Sequence, residues 1–282
     1  MTGLYERDRP YPRGMDDVPR GTPDAILRPS RAEQAITVDR LVPAPALRDL
    51  VDYHWYVGWR TDEPHRQQVV PQPRVHVAAE VVDGEGRLLV HGISREPFVR
   101  TLDGVGHTLG AAFHPGGFQP FLRRSVGTLS GTVVPAGELF DLDDRPVAAR
   151  VLGTSDVPEM AAALESYLLA LDPEPDPVVA QVRDLVAQAE EDRSLTRAED
   201  LAARGAMSLR SLQRLFGDYV GIGPKWVVSR FRILDAAAAA HGGEPVDWAA
   251  LAVELGFTDQ AHLTRAFTAV VGTPPATYRR EA

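Results

Sequence analysis

Arg210, Gln213 and Arg214 stand at i, i+3 and i+4 in the segment "SLRSLQRLF", so a helix there carries all three on one side. Leu212, Leu215 and Phe216 fall on another stripe of the same helix. A guanidinium can donate two hydrogen bonds to the O6 and N7 of guanine or grip a phosphate, and a carboxamide can pair with adenine. No acidic residue stands between Ser208 and Phe216 to repel a polyanion. The stretch "GFTDQAHLTRAF", Gly256 to Phe267, raises the same question with Gln260, His262, Thr264 and Arg265 set around Leu263 and Phe267. Side chains of these types on one helix face suit base edges in a groove better than they suit catalysis.

The elements that must hold them can be read from spacing. Thr196 with Glu199 forms a capping-box pattern for a short helix running to about Arg204. Gly205-Ala206-Met207 then makes a turn, and Ser208 caps a second helix whose inward side is Leu212, Leu215 and Phe216. Two short helices joined by a tight, Gly-containing turn form a helix-turn-helix. A longer helix starts at Pro224, carries Trp226, Val227, Phe231 and Leu234, and runs through an Ala series to His241-Gly242-Gly243. The layout then recurs, with Asp259 in the role of Ser208, Leu263 of Leu212, Phe267 of Phe216, Gly272 of Gly221 and Pro275 of Pro224. Each pair is separated by 51 residues. Two such units on one connecting helix could meet successive major-groove segments about 34 Å apart, with some bending of the duplex if they are held closer.

These residues closely resemble the AraC/XylS family of bacterial transcription regulators. The likeness runs from Val178 to Arg280 and is most specific in the second unit: Leu251-Ala252, Gly256-Phe257, Asp259-Gln260, His262-Leu263, Arg265-Ala266-Phe267, Gly272-Thr273-Pro274-Pro275 and Tyr278-Arg279. In the first unit Ser208, Leu212 through Phe216, Gly221 and Pro224 fit the same pattern. Carried over by position, the resemblance implies base reading by Arg210, Gln213 and Arg214 in one unit and by Gln260, His262, Thr264 and Arg265 in the other. Ala261 stands where a polar residue is common, and Asp247-Trp248 replaces the usual apolar start of its helix. Both departures weaken reading by the second unit more than its fold. The resemblance further implies double-stranded promoter DNA and RNA polymerase as partners, with a small-molecule effector and a homodimer as further candidates, in a bacterial cytoplasm at the nucleoid.

The N-terminal half has a different grammar. Residues 1–30 are rich in Pro, Arg, Asp and Gly and read as a mobile arm. "VDYHWYVGW" alternates Val51, Tyr53, Trp55, Val57 and Trp59 against Asp52, His54, Tyr56 and Gly58, which is the period of a half-buried strand. "RVHVAAEVV", a turn at Asp83-Gly84-Glu85-Gly86 and "RLLVHGI" form a hairpin, and "HTLGAAF" is a further strand ended by Pro115-Gly116-Gly117. Short strands followed only later by helices suggest an antiparallel barrel or sandwich, and the resemblance narrows this to a jelly-roll-like sensing or dimerising domain. A helix within 155–172 follows, capped by Ser155 or Asp156. The expected class is therefore α+β: an arm at 1–30, a β-rich domain at 31–171, a linker at 172–177 ("DPEPDP") and an all-α tandem helix-turn-helix domain at 178–282.

Composition closes off several other chemistries. Cysteine is absent, so disulfides, thiolate metal sites and cysteine nucleophiles are excluded. No H-x-H pair exists, and His76 with Glu80 is the nearest approach to a metal-binding barrel motif, so neither metal nor cofactor is expected. No nucleophile elbow or phosphate loop appears, and no apolar run is long enough to span a membrane. Pro71, Arg74, His76, Tyr53 and Trp55 could line a small-molecule pocket. Net charge is −9, but residues 178–282 carry 12 basic against 13 acidic side chains, so the acidity sits in the N-terminal part. Nucleic-acid contact must then come from local Arg placement rather than a global field. The competing reading is a small-molecule-binding or enzymatic β-barrel whose helical domain is not used for DNA.

Overall fold

The computed structural model describes residues 36–241 and 245–281. The expected arm at 1–30 and the Gly242-Gly243 end of the long helix lie outside the described residues.

Six strands form one antiparallel sheet: β1 (Ile36–Leu41), β2 (Val51–Val69), β3 (His76–Val82), β4 (Glu85–His91), β5 (Phe98–Phe113) and β6 (Val133–Pro135). The strand order is β1-β2-β5-β3-β4-β6, so the two ends of the sheet do not pair. This corrects the barrel or jelly-roll expectation: the sheet is open. The physical reason lies in how its faces are covered. Leu109, Ala111 and Phe113 of β5 are buried in the main core, against which helices α3 (Arg145–Gly153) and α4 (Val157–Ala170) pack. One face is thus satisfied by helices without closure. At one edge β6 is three residues long and ends in Pro135, which has no N–H to offer another strand.

β2 and β5 are far longer than the other strands and pair along most of their lengths, with irregularities between Val51 and Tyr53 and between Thr61 and His65. β3 reaches β5 only at Gly110 to Ala112. Residues 98–105 of β5 therefore continue with β2 as a two-stranded ribbon beyond the body of the sheet. Trp55 and Trp59 lie across the sheet on the face away from the helices. A Cβ at Gly110 would come within 2.5 Å of Trp55 Cζ2, and one at Gly106 within 2.4 Å of Trp59 Cζ2. Both glycines are required by the flat seating of an indole on the backbone.

The turn "HPGGF" leads into a short helix, α1 (Gln119–Leu122), and α2 (Ala136–Phe140) follows β6. Asp156 caps α4 by accepting from Glu159 N–H. His54, fully buried in β2, lies 2.8 Å from Glu165 of α4 and fastens that helix to the sheet.

Beyond the linker come α5 (Val178–Glu191), α6 (Ala198–Arg204), α7 (Leu209–Tyr219), α8 (Pro224–His241), α9 (Trp248–Glu254), α10 (Gln260–Val271) and α11 (Pro275–Glu281). The capping box expected at Thr196 and Glu199 does not form: Arg197 is the N-cap of α6 and makes no side-chain cap bond. Thr196 instead packs beside Gly256, where a Cβ would fall 2.5 Å from Thr196 Cβ. The start of the first unit is thereby in contact with the turn of the second.

The main hydrophobic core runs without a break from the sheet through α4 into α5, α6, α7 and α8. A second, smaller core holds Ile233, Ala236, Ala252, Phe257, Leu263, Phe267, Val271 and Tyr278, and it takes in Val70 from the end of β2.

Candidate nucleic-acid interface

Each unit presents its second helix by the same local means. Ser208 Oγ accepts from Ser211 N–H at 3.1 Å at the start of α7. Asp259 Oδ1 accepts from His262 N–H at 2.7 Å at the start of α10. Leu212 and Phe216 are fully buried beneath α7, and Leu263 and Phe267 beneath α10. After each helix the chain turns through a glycine in the left-handed region, Gly221 at φ 89° and Gly272 at φ 86°, and a proline opens the next helix. The sequence repeat is therefore a structural one: equivalent caps, anchors and exits hold both helices.

That anchoring decides what faces outward. Arg210, Gln213 and Arg214 are exposed on α7, and Gln260, His262 and Arg265 are exposed on α10. Thr264 is half-buried. Among the described residues no salt bridge engages Arg210, Arg214 or Arg265. Arginines nearby are committed elsewhere: Arg204 to Asp192 at 2.7 Å, Arg193 to Asp235 at 3.0 Å, and Arg232 to Asp235 at 3.1 Å. His262 is partly occupied, since Thr258 N–H donates to its Nδ1 at 3.3 Å and its ring meets the edge of Phe257 at 5.3 Å. Its Nε2 is the atom left for an outside partner. Ala261 occupies the position equivalent to Arg210, so the first unit carries the larger set of donors.

The residues 201–281 match a family described as "Helix-turn-helix domain". The chain carries an AraC-type helix-turn-helix domain. That places it among DNA-binding transcription regulators rather than among enzymes. Residues 39–135 match a second family, described as a domain of unknown function (DUF6597). Among solved structures, ToxT from Vibrio cholerae (P21 form) aligns over 88% of this chain and 98% of its own, at 10% identity and a TM-score of 0.39. ToxT from Vibrio cholerae O395 bound to (E)-4-(8-methylnaphthalen-1-yl)but-3-enoic acid covers 88% and 99% at 10% identity and a TM-score of 0.39. Unsaturated fatty acid bound wild-type ToxT from Vibrio cholerae strain SCE256 covers 86% and 94% at 11% identity and 0.34. Scores of this size do not equate the folds.

A second site lies in the β-rich half of this regulator. A cavity of about 430 Å³ is bounded by the indole-bearing face of the sheet, the β2–β5 ribbon and the segment before β6. All five residues singled out in the sequence, Tyr53, Trp55, Pro71, Arg74 and His76, line it. The sequence reading did not place Phe98, Arg100 and His91, which arrive from β4 and β5, in this cavity, nor Glu80, which shares β3 with His76. Trp59 belonged to the same alternating series as Trp55, so the strand period carried a signal for it.

The polar groups of the cavity are tied together. Trp55 Nε1–H donates to His76 Nδ1 at 3.2 Å. Arg100 and His91 both engage Glu80, the latter at 2.8 Å, and Arg74 engages Asp52. Burial, then the charge of Arg74 and of His91, lowers the His76 pKa to about 3. Burial also lowers His91 to about 4. Both rings are therefore neutral in the folded protein at pH 7.

Because the unfolded chain protonates these imidazoles near pH 6.5, folded stability is full above that value. It declines as pH falls from 6.5 toward 4. The expected result is a urea midpoint that drops across this window, with a shallower drop in His76→Gln. A wild-type midpoint that is flat between pH 6.5 and 4 would contradict the buried neutral assignment.

Proposed function

We propose that this regulator reads a specific duplex through Arg210, Gln213 and Arg214 of α7 and through Gln260, His262, Thr264 and Arg265 of α10. The first unit does more of the discriminating. One observation carries the reading: two exposed helix faces, free of carboxylates over the first turns, sit at matching positions of a 51-residue repeat with equivalent caps and anchors. The divisions at 31–171, 172–177 and 178–282 then describe a sensing or dimerising part, a linker and a reading part. The partners are promoter DNA and RNA polymerase in a bacterial cytoplasm, with a small-molecule effector in the β-rich part and a homodimer as the assembly. Among the described residues no helix is long and apolar enough to cross a membrane.

Selection from random duplexes followed by gel shift at several salt concentrations tests this. Wild type should prefer its selected duplex over a scrambled one across a range of salt. No preference at any salt would overturn the reading. Arg210→Ala and Gln213→Ala should each cost about 1–3 kcal/mol on the selected duplex and relax the sequence preference at one groove segment. An equal loss on selected and scrambled duplexes would make these residues phosphate contacts instead.

A further inference from the structure

The β-rich half holds the far end of both outward-facing helices. The last carbonyls of a helix have no N–H of that helix to accept from, and Ser125 Oγ–H donates to that of Gly217 in α7 at 3.2 Å. Ser130 Oγ–H donates to the carbonyl of Gly221, the left-handed glycine that follows α7, and Val126 and Ile93 pack against it. At the second unit Gln68 Nε2–H donates to the carbonyl of Val271, the last residue of α10, at 3.4 Å. Gln68 also packs against Gly272, which occupies the position equivalent to Gly221.

Each holding segment carries an arginine with nothing to hold. Arg124 precedes Ser125, and Arg66 stands two residues before Gln68, on the same face of β2. Both are exposed, and among the described residues neither makes a salt bridge or a side-chain hydrogen bond. Arg123, by contrast, is committed to the linker, at 3.4 Å from Glu174 and 2.7 Å from the carbonyl of Asp172. Tyr219 O–H takes up Asp176 of the same linker at 2.6 Å. The stretch from Gly104 to Gly137, which includes Arg124, contains no Asp or Glu, although the N-terminal half carries most of the negative charge.

The orientation of α7 brings the duplex to this end. Gly217 lies seven, four and three residues after Arg210, Gln213 and Arg214, so it shares their ridge. A Cβ added at Gly217 would meet nothing within 4 Å. The outer side of the helix is therefore open there, although its carbonyl is capped, and the capping segment flanks the ridge without covering it. A helix that reads bases from its N-terminal residues meets the sugar-phosphate backbone toward its C-terminal end. Asp218, the one carboxylate of α7, stands at that end and repels a phosphate. A cation supplied from the β-rich half offsets it.

Building on the reading of α7 and α10 as the base-reading helices, we propose that the β-rich half is itself part of the DNA interface. Arg124 grips a backbone phosphate beside the end of α7, and Arg66 grips one beside the end of α10. The forked guanidinium suits the paired oxygens of a phosphate. These two contacts add affinity and fix how the chain sits on the duplex, and they carry no base preference.

The test titrates the full chain with its selected duplex at several salt concentrations. Each neutralised phosphate contributes about 0.9 to the slope of log affinity against log salt. Arg124→Ala and Arg66→Ala should each flatten the slope by about that amount, and the double variant by about twice as much. Between about 50 and 200 mM salt, wild type should therefore lose about 3.5-fold more affinity than either single variant. Selected and scrambled duplexes should be weakened by the same factor, and Arg124→Lys should keep most of the wild-type slope. Phosphate-ethylation interference should lose one sensitive position in each single variant. That position flanks the bases read by α7 for Arg124→Ala and those read by α10 for Arg66→Ala. Arg60→Ala removes an equally exposed arginine of β2 and should leave slope and interference pattern unchanged. A double variant with the wild-type slope and pattern, or an Arg60→Ala variant that flattens the slope as much, would overturn the proposal. Should an alanine variant fail to fold, Arg124→Gln and Arg66→Gln give the same readouts. A wild type that selects a duplex while the double variant behaves like it refutes this inference alone, whereas one that selects no duplex refutes the reading on which it rests.

Discussion

Arg232→Met is expected to lower the stability of the protein by about 3–5 kcal/mol, the range found when one member of a buried ionic and hydrogen-bonded group is removed. Arg232 is 1% exposed in the middle of α8. Its Nη2 donates to the carbonyls of Ala189 at 2.8 Å and Glu190 at 3.4 Å, and its Nη1 to those of Asp192 at 2.7 Å and Leu195 at 3.3 Å. These carbonyls lie at and just past the end of α5, where the helix has no N–H of its own to satisfy them. The planar guanidinium thus closes α5 and joins it to the helix that connects the two units. Nε stands 3.1 Å from Asp235 Oδ2, and Arg193 supports Asp235 from the surface. Burial pulls the guanidinium pKa down and pushes the Asp235 carboxyl up. Methionine fills a similar volume but takes the guanidinium donors from the carbonyls of Ala189, Glu190 and Leu195 and leaves Asp235 with one cation fewer; the Asp192 carbonyl keeps Leu195 N–H at 3.0 Å. Urea denaturation of the two proteins measures the difference, and Arg232→Lys should recover part of it. A loss below about 1 kcal/mol would mean that water replaces the guanidinium at the end of α5 without penalty.

Phe267→Ala carries the second large effect, about 3–5 kcal/mol for removing a fully buried phenyl ring. Phe267 is 0% exposed and meets the Tyr278 ring at 5.6 Å in an edge-on arrangement. It belongs to the smaller core, so the loss falls on the second unit rather than on the sheet and the first unit. Hydrogen exchange should show α9, α10 and α11 opening together while α5 to α7 stay protected. Affinity for the selected duplex should fall toward the level of a scrambled one. Uniform loss of protection across the whole chain would mean that the two cores unfold as one.

The helical half was legible in the sequence because its signals are local. Caps at Ser208 and Asp259, the Leu and Phe anchors, and the glycine and proline exits all act within one helix or one turn. Their repetition at a fixed offset made each reading check the other. The capping box at Thr196 and Glu199 was a local signal that failed, because Thr196 is drawn to the Gly256 turn of the other unit, a contact no short-range pattern reveals. The strands at Val51 to Trp59 and the hairpin at Val82 to Glu85 were equally readable from alternation and turn residues. That they stay in an open sheet rather than closing into a barrel was not, since pairing between distant strands depends on which faces the helices cover. Pro71, Arg74, His76, Tyr53 and Trp55 could be named as cavity candidates from residue type. The partners that complete the cavity from β4 and β5, His91, Phe98 and Arg100, emerged only with the register.

By itself, then, the sequence determined two repeated helix-turn-helix units, the side chains on their outer faces and an N-terminal region built of strands, because periodicity, capping and turn chemistry are written over a few residues at a time. Only the tertiary structure decided that the sheet stays open, that one core runs from it into the first unit, and that Ser130 and Gln68 hold the same glycine-ended corner in both units. Those arrangements depend on packing between segments up to about 200 residues apart, where loop-closure entropy must be repaid by burial that no local pattern records.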